Sequence, residues 1–277
     1  MKRRLHIVGC PRSGTTLLLE MLGSCFANAG RCEHELDLFQ NPQWSDGVFV
    51  SKQPSDIRSL RRVFLADPAL FVIYVVRDPR AVVASVHASR PDRYFVDYAE
   101  WKYCQDAAER LRGHARFLEL RFEDLVRDPD TVQARIEDCF PWLERLHAFS
   151  EYHRHAAASE ASRVAMHGMR PVDSGRVESW RQHLPRICAQ ARRYPSMVED
   201  LIRAGYESDG GWVKELDGVK PLLSPRRHRS WFGLRQLETR LRKWRKTRTY
   251  LRRLRAEQGW GCAAVAAQTD TGNPESP

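Results

Sequence analysis

The chain has 277 residues and carries a formal net charge of +10 at pH 7. A chain of this length buries enough apolar surface to fold without disulfide or metal support. Its seven cysteines form no C-x-x-C pair, which argues against a disulfide framework and against a zinc module. No apolar run approaches the roughly 18 residues that a membrane span requires. We therefore expect a soluble cytoplasmic protein with reduced thiols.

The predicted elements alternate between strands and helices, which is typical of a parallel α/β sheet. Strands are predicted at 4–8, 48–51, 71–76 and 117–122, and helices at about 15–29, 56–66, 79–89, 98–115 and 131–147. The third strand is a continuous apolar run, as expected for a strand buried on both faces. Asp78 and Pro79 supply the third helix with an N-cap and a first residue. We predict a three-layer α/β/α fold with a central parallel sheet, formed by residues 1–217.

The first strand and the first helix flank the run GCPRSGTT at residues 9–16. This run matches the frame G-x-x-x-x-G-K-[ST], with Thr15 in place of the lysine. The backbone N–H groups of such a turn and the N-terminus of the helix together attract a phosphate. Because the lysine is missing and Arg12 lies three residues earlier, we predict a phosphate-binding loop without the usual ATP or GTP chemistry.

Further polar residues follow the predicted strands at regular positions. Lys52 follows the second strand, Arg77 follows the third, and Ser85 comes eight residues after Arg77, two turns into the next helix. Arg176 lies in the later run SGRVESWR. With the first loop, this order resembles the sulfotransferases that use 3′-phosphoadenosine 5′-phosphosulfate (PAPS), over about residues 4–185. The resemblance is closer to the bacterial, carbohydrate and tyrosylprotein branches than to the cytosolic aryl branch.

The resemblance implies a P-loop-like sulfotransferase fold, PAPS as the sulfate donor and no metal. It assigns Arg77 and Ser85 to the 3′-phosphate, and Arg176 to a segment that closes over that phosphate. Arg12 is then the cation at the bridging oxygen, and Lys52 is a second cation near the leaving group. The residues assigned to the 5′-phosphosulfate are Pro11, Arg12, Ser13, Gly14, Thr15 and Thr16.

The general base is left open among three neighbouring residues. Aryl sulfotransferases carry a histidine two residues after the equivalent of Lys52, where this chain has Pro54. The tyrosylprotein and heparan branches use a glutamate instead, which favours Glu33 or Glu35, with His34 as a third candidate. A solvated polar loop without a catalytic role is an equal alternative for these three residues.

The acceptor is expected to be a carbohydrate or a lipid-linked molecule that presents a hydroxyl or an amine. A cluster of aromatic residues within 90–105 either lines the acceptor pocket or forms helix core. Its members are Tyr94, Phe95, Tyr98, Trp101 and Tyr103.

Positive charge is concentrated near the C-terminus. Residues 220–255 contain fourteen Lys and Arg and one acidic residue, so the remainder of the chain is acidic on balance. We predict a basic amphipathic helical segment at 218–260 and a disordered tail at 261–277. Apolar residues recur in the segment at helical spacing: Leu234, Leu237, Leu241, Trp244, Leu251 and Leu254.

Three roles stay open for the basic segment. It contacts an anionic membrane surface through 232–255, on the inner face of the membrane, or packs against the body, or holds a polyanionic acceptor. No specific nucleic-acid contact is expected.

Two other functions compete with sulfuryl transfer. A P-loop kinase or NTPase is disfavoured by Thr15 and by the lack of a clear magnesium-binding aspartate after a strand. A non-catalytic membrane- or polyanion-binding protein is disfavoured by the presence of all three predicted 3′-phosphate ligands, Arg77, Ser85 and Arg176.

Overall fold

The computed structural model describes residues 2–40, 42, 44, 46–87, 90–222 and 230–257. The strands of this part are β1 (Arg3–Gly9), β2 (Ala29–Arg31), β3 (Val48–Lys52), β4 (Leu70–Val76), β5 (Val86–His87), β6 (Arg90–Tyr94) and β7 (Phe117–Arg121). Its α-helices are α1 (Thr15–Cys25), α2 (Ile57–Ala66), α3 (Pro79–Val83), α4 (Tyr98–Glu109), α5 (Phe122–Arg127), α6 (Pro129–Cys139), α7 (Tyr152–His155), α8 (Glu160–Met166), α9 (Leu184–Arg193), α10 (Met197–Arg203) and α11 (Ser230–Glu257).

Five parallel strands form the central sheet in the order β2-β3-β1-β4-β7. Strand β1 lies in the middle, and its Ile7 pairs with Lys52 on β3 and with Ile73 on β4. Because successive side chains of a strand point to opposite faces, Ile7 joins one apolar core and Val8 joins the other. The predicted α/β fold with a central parallel sheet is confirmed.

Helices cover both faces of the sheet. On one face the core includes side chains of α1, α6 and α7, and on the other face it includes side chains of α2, α3, α4, α9 and α10. Strands β5 and β6 lie outside the sheet and form an antiparallel hairpin. The carboxyl ends of β1, β3 and β4 therefore meet at one edge, which is where the candidate site lies.

The third predicted helix is shorter in the structure than its predicted range of 79–89. Helix α3 ends at Val83, and the chain turns into β5 at Val86. The backbone N–H of Phe95 donates to the carbonyl of Ser85 at 2.9 Å, so hairpin pairing replaces the helical hydrogen bonds there. The prediction that Ser85 lies two turns into a helix was wrong, because Ser85 lies just beyond the helix end.

Other predicted boundaries also shift. Helix α1 ends at Cys25 instead of 29, because the chain continues into the unpredicted strand β2. Helix α4 ends at Glu109 instead of 115. Helix α6 begins at Pro129, where the Asp128 carboxylate accepts from the backbone N–H of Thr131 at 3.1 Å, and it ends at Cys139 instead of 147.

Helix α11 lies against α2 on the body. Thr247 and Tyr250 are buried in this contact, and Leu254 packs against the same core. Leu241 and Trp244, which belong to the predicted apolar stripe, are 49% and 48% exposed. The predicted stripe therefore packs only in part: Leu254 packs against the core, Leu241 and Trp244 are exposed, and Thr247 and Tyr250 are the buried residues of the packed face. The side chains of Leu234 and Leu237 and the predicted tail at 261–277 lie outside the described residues.

Within the described ranges, no helix is both long and apolar enough to span a bilayer.

Candidate active site

The turn between β1 and α1 depends on two glycines. Gly14 has φ 91°, and a Cβ added there would overlap the ring of Phe122. A Cβ at Gly9 would lie 2.7 Å from the carbonyl oxygen of Val75, so β1 and β4 approach too closely there for any side chain. Arg12 also has a positive φ, 75°, which is uncommon for a residue with a side chain. The backbone of Arg12 is therefore locally strained, and its side chain lines the cavity.

A cavity of about 500 Å³ opens above the carboxyl ends of the central strands. Ser13, in the turn between β1 and α1, is fully buried and does not line the cavity. Glu33 is exposed and does not line the cavity either. Arg176 lies in a short turn, Ser174–Arg176, but its side chain is outside the described atoms. The predicted site residues that line the cavity are Pro11, Arg12, Gly14, Thr15, Thr16, Glu35, Lys52, Arg77 and Ser85.

Arg12, Arg77 and Ser85 form a connected group although they are far apart in the sequence. The Arg12 Nε donates to the Ser85 Oγ at 2.7 Å, and an Arg77 guanidinium N–H donates to the carbonyl of Arg12 at 3.0 Å. The Trp101 indole N–H donates to the Arg77 carbonyl at 2.9 Å, and the Arg77 guanidinium lies 4.3 Å from the centre of the Phe122 ring. These contacts hold two cations beside one hydroxyl.

The electrostatics of this group favour an anion. Burial lowers the pKa of both Arg12 and Arg77, and for Arg77 the nearby Arg12 charge lowers it further while Glu123 raises it. The Arg77 Nε and the Ser13 Oγ are buried and have no hydrogen-bond partner within the described part of the chain. A bound phosphate would supply both counter-charge and acceptor oxygens, which is what such a cluster requires.

Lys52 is the second cationic centre of the cavity. Its side chain is 2% exposed, and its Nζ donates to the Thr16 Oγ1 at 3.0 Å and lies 3.3 Å from the Glu35 Oε1. Burial lowers the pKa of Lys52, and the Glu35 carboxylate acts in the opposite direction. The ammonium therefore lies at the N-terminus of α1, where it adds to the positive end of the helix.

The three candidate bases occupy different positions. Glu35 lines the cavity, and its backbone is held in place because the N–H of Leu36 donates to the Lys52 carbonyl at 2.9 Å. His34 also lines the cavity, and burial together with the Lys52 charge lowers its pKa, so the ring is neutral near pH 7. Glu33 instead accepts through its backbone carbonyl from the Ser159 hydroxyl at 2.9 Å. The geometry favours Glu35 over Glu33.

The predicted aromatic cluster does not act as one unit, because one of its members lines the cavity and others form core. Phe95 lines the cavity, with its ring 5.6 Å from the Arg12 guanidinium. Tyr98 and Trp101 are 1% and 2% exposed and belong to the core, whereas Tyr103 is 49% exposed on the surface. Tyr94 is half-buried, and its hydroxyl lies 3.2 Å from the His183 Nδ1.

Several cavity residues were not predicted from the sequence. Phe122 lines the cavity and follows directly after β7. The one sequence feature that could have indicated it is an aromatic residue next to Arg121 at the end of a predicted strand. The adjacent Glu123 has a structural role, since its carboxylate accepts from the backbone N–H of Asp78 at 3.0 Å. No motif marks a further group of lining residues, which come from the chain after α8: His167, Arg170, Pro171, Val172, Ser179 and His183.

Within the described ranges, no three His, Cys, Asp or Glu side chains are grouped so that they could hold a metal ion.

Comparisons with known proteins agree on one fold. A profile of the Sulfotransferase family matches residues 34–142. The sulfotransferase domain from the curacin biosynthetic pathway superposes with a TM-score of 0.51 at 15% identity, covering 65% of this chain and 90% of that one. A likeness at this identity establishes the fold. No curated protein sequence matches this chain.

Two further solved structures are similar at lower scores. The sulfotransferase domain from the Synechococcus PCC 7002 olefin synthase has a TM-score of 0.46 at 18% identity, covering 65% of this chain and 87% of that one. Mouse sulfotransferase SULT7A1, complexed with PAP, has a TM-score of 0.47 at 15% identity, covering 77% and 88%.

Proposed function

We propose that this chain is a sulfotransferase that transfers the sulfuryl group of PAPS to a hydroxyl or amine of an acceptor. The match of the Sulfotransferase family profile to residues 34–142 supports this assignment. One observation carries the proposal. Arg12, Lys52, Arg77 and Ser85 come from four different chain segments and line one cavity beside the glycine-bounded loop. A donor with phosphates at two ends needs cations at two places, and this cavity has them on either side of the loop.

The residues present fit such a donor. Arg77 lines the cavity, and its Nε has no hydrogen-bond partner within the described residues, so a phosphate oxygen would supply the missing acceptor. A volume of about 500 Å³ lies within the usual range of small-molecule sites. In this proposal Arg77 and Ser85 hold the 3′-phosphate, and the loop from Pro11 to Thr16 holds the 5′-phosphosulfate.

PAPS supplies an activated sulfuryl group whose leaving group is a phosphate. Arg12 and Lys52 offset the negative charge that grows on the bridging oxygen. Glu35 takes the proton of the acceptor, and His34 is the alternative base. Since Glu35 is paired with Lys52 at 3.3 Å, a phosphate that engages the ammonium weakens this pair and leaves the carboxylate free to accept a proton.

The finer acceptor assignment is a carbohydrate or a glycolipid. It is supported by the mixed lining of the cavity, where Glu35, His34 and Arg170 offer hydrogen-bonding groups beside the apolar Phe95 and Val172. Contact of α11 with an anionic membrane surface stays a prediction, supported by the exposed Leu241 and Trp244 among basic side chains.

Calorimetric titration with 3′-phosphoadenosine 5′-phosphate (PAP), with ATP and with adenosine 5′-phosphosulfate tests the donor. We expect PAP to bind about 10- to 100-fold more tightly than either nucleotide that lacks the 3′-phosphate. This ratio is what the loss of one charge-assisted hydrogen bond to the 3′-phosphate would produce. Transfer of labelled sulfate from PAPS to a panel of sugars, glycolipids and phenols then tests the reaction. Equal affinity for ATP and PAP would overturn the proposal.

A further inference from the structure

The segment that carries Glu35 runs beside β3 and then turns. The Cys32 N–H donates to the Val50 carbonyl, and the Leu36 N–H donates to the Lys52 carbonyl, both at 2.9 Å. Residues 37–40 form the turn that follows, which we name the 37–40 turn. Because Glu35 lies two residues before this turn, its approach to Lys52 depends on where the turn is held.

The body holds the 37–40 turn from the inside. One Arg4 guanidinium nitrogen donates to the carbonyls of Leu38 at 2.7 Å and Gln40 at 2.9 Å. The Asp56 carboxylate accepts from the Leu38 N–H at 2.7 Å. Arg4 and Asp56 are 5% and 1% exposed, so these are buried, charge-assisted contacts.

Helix α11 holds the same turn from the outside. The Lys246 Nζ donates to the Asp37 carboxylate at 2.7 Å, and the Lys243 Nζ lies 3.8 Å from the Asp56 carboxylate. The Tyr250 ring packs edge-on against the Phe39 ring, with centroids 6.5 Å apart. The Tyr250 hydroxyl also donates to the Asp67 carboxylate beyond the end of α2 at 2.6 Å, which anchors α11 to the body.

We propose that α11 is a positioning element of the active site, and that Lys246 is a positioning residue that acts through Asp37 on Glu35. This inference rests on the proposed function for the role of Glu35. Three carboxylates of the body (those of Asp37, Asp56 and Asp67) meet a helix that is otherwise strongly basic. The contacts at Asp37 and Asp56 bear on the 37–40 turn, and the one at Asp67 secures the helix that makes them.

The test uses Lys246→Ala in the full chain, with amide hydrogen exchange and steady-state kinetics as readouts. Loss of a partly exposed ion pair should lower the protection of the Leu36 and Leu38 amides about two- to fivefold. The kcat should fall by a similar factor while the Kd for PAP stays unchanged. Lys246→Arg should restore both readouts, and Arg245→Ala, an exposed arginine of the same helix, should change neither.

A charge reversal keeps the test decisive if the alanine effect is small. Lys246→Glu places a like charge at Asp37 and should give a larger loss of protection than Lys246→Ala. Unchanged exchange in both variants, or an equal change in Arg245→Ala, would overturn the inference. The exchange experiment needs no substrate, so it still decides whether α11 holds the 37–40 turn if wild-type protein transfers no sulfate and the proposed function fails.

Discussion

Replacing Lys52 by methionine should separate activity from stability. The Lys52 side chain is 2% exposed, and its ammonium has a hydroxyl and one carboxylate as partners. Methionine is apolar, similar in length and adaptable in packing. In this variant the cation beside the leaving group is lost while the volume of the buried side chain is largely kept.

The expected magnitudes follow from the surroundings of the ammonium. Removing one partner of a buried ion pair usually destabilises a protein because the other charge is left buried. Here the remaining charge, Glu35, is 42% exposed and stays solvated. We therefore expect a change in the free energy of unfolding within about 1 kcal/mol of zero, or a gain. Loss of a group that stabilises developing charge should lower kcat about 100- to 1,000-fold.

The pH dependence gives an independent check. Because burial lowers the pKa of Lys52 from its usual 10.5, the ammonium loses its proton at a lower pH than an ordinary lysine does. Wild-type kcat should therefore fall on the alkaline side, and Lys52→Arg should shift that fall to higher pH. The unfolded chain binds this proton more tightly, so wild-type stability should rise as pH increases through the folded pKa towards 10.5. Lys52→Met should lack this rise.

Sulfate transfer from labelled PAPS and urea unfolding, both measured at several pH values, complete the test. A kcat within threefold of wild type would remove Lys52 from the chemistry. A loss of stability well beyond 1 kcal/mol would show that the ammonium is mainly structural.

Three further outcomes are expected. Arg77→Ala should weaken PAP binding about 10- to 150-fold and Ser85→Ala less, and both losses should vanish with an analogue that lacks the 3′-phosphate; equal losses with either ligand would mean structural damage. Gly14→Ala should destabilise the chain by at least about 1–2 kcal/mol, since φ is 91° there and the added methyl overlaps an aromatic ring; thermal unfolding unchanged from wild type would refute this. Glu35→Gln should lower kcat about 100-fold or more with unchanged PAP affinity, whereas Glu33→Gln, outside the cavity, should not; the reverse order would assign the base to Glu33.

Local patterns were sufficient for the sheet and for the cations at its edge. The runs 4–8, 48–51 and 71–76 are mostly apolar and rich in β-branched residues, and each forms a strand within one or two residues of its predicted ends. Residues that follow parallel strands meet at one edge of the sheet, so Arg77 and Lys52 could be placed in one site from order alone. The phosphate loop is likewise a local feature, since its glycines and the following helix are adjacent in the chain.

Contacts between residues that are distant in the sequence could not be predicted from local patterns. The Ser85 hydroxyl meets Arg12 because the chain leaves α3 early for a hairpin, and Phe122 excludes a side chain at Gly14 because β7 lies at the sheet edge. Neither contact leaves a periodic signal in the sequence.

The C-terminal helix α11 likewise combines a feature that the sequence predicts with one that only the folded structure shows. Its existence follows from spacing and composition, which act along the chain. Its packing face does not. The carboxylates of Asp37, Asp56 and Asp67 pair with lysine and tyrosine side chains of the helix, whereas Leu241 and Trp244 of the predicted stripe are exposed. Hydrophobic periodicity describes what a helix can bury in an apolar partner, whereas the charges of the partner surface are known only once the chain has folded.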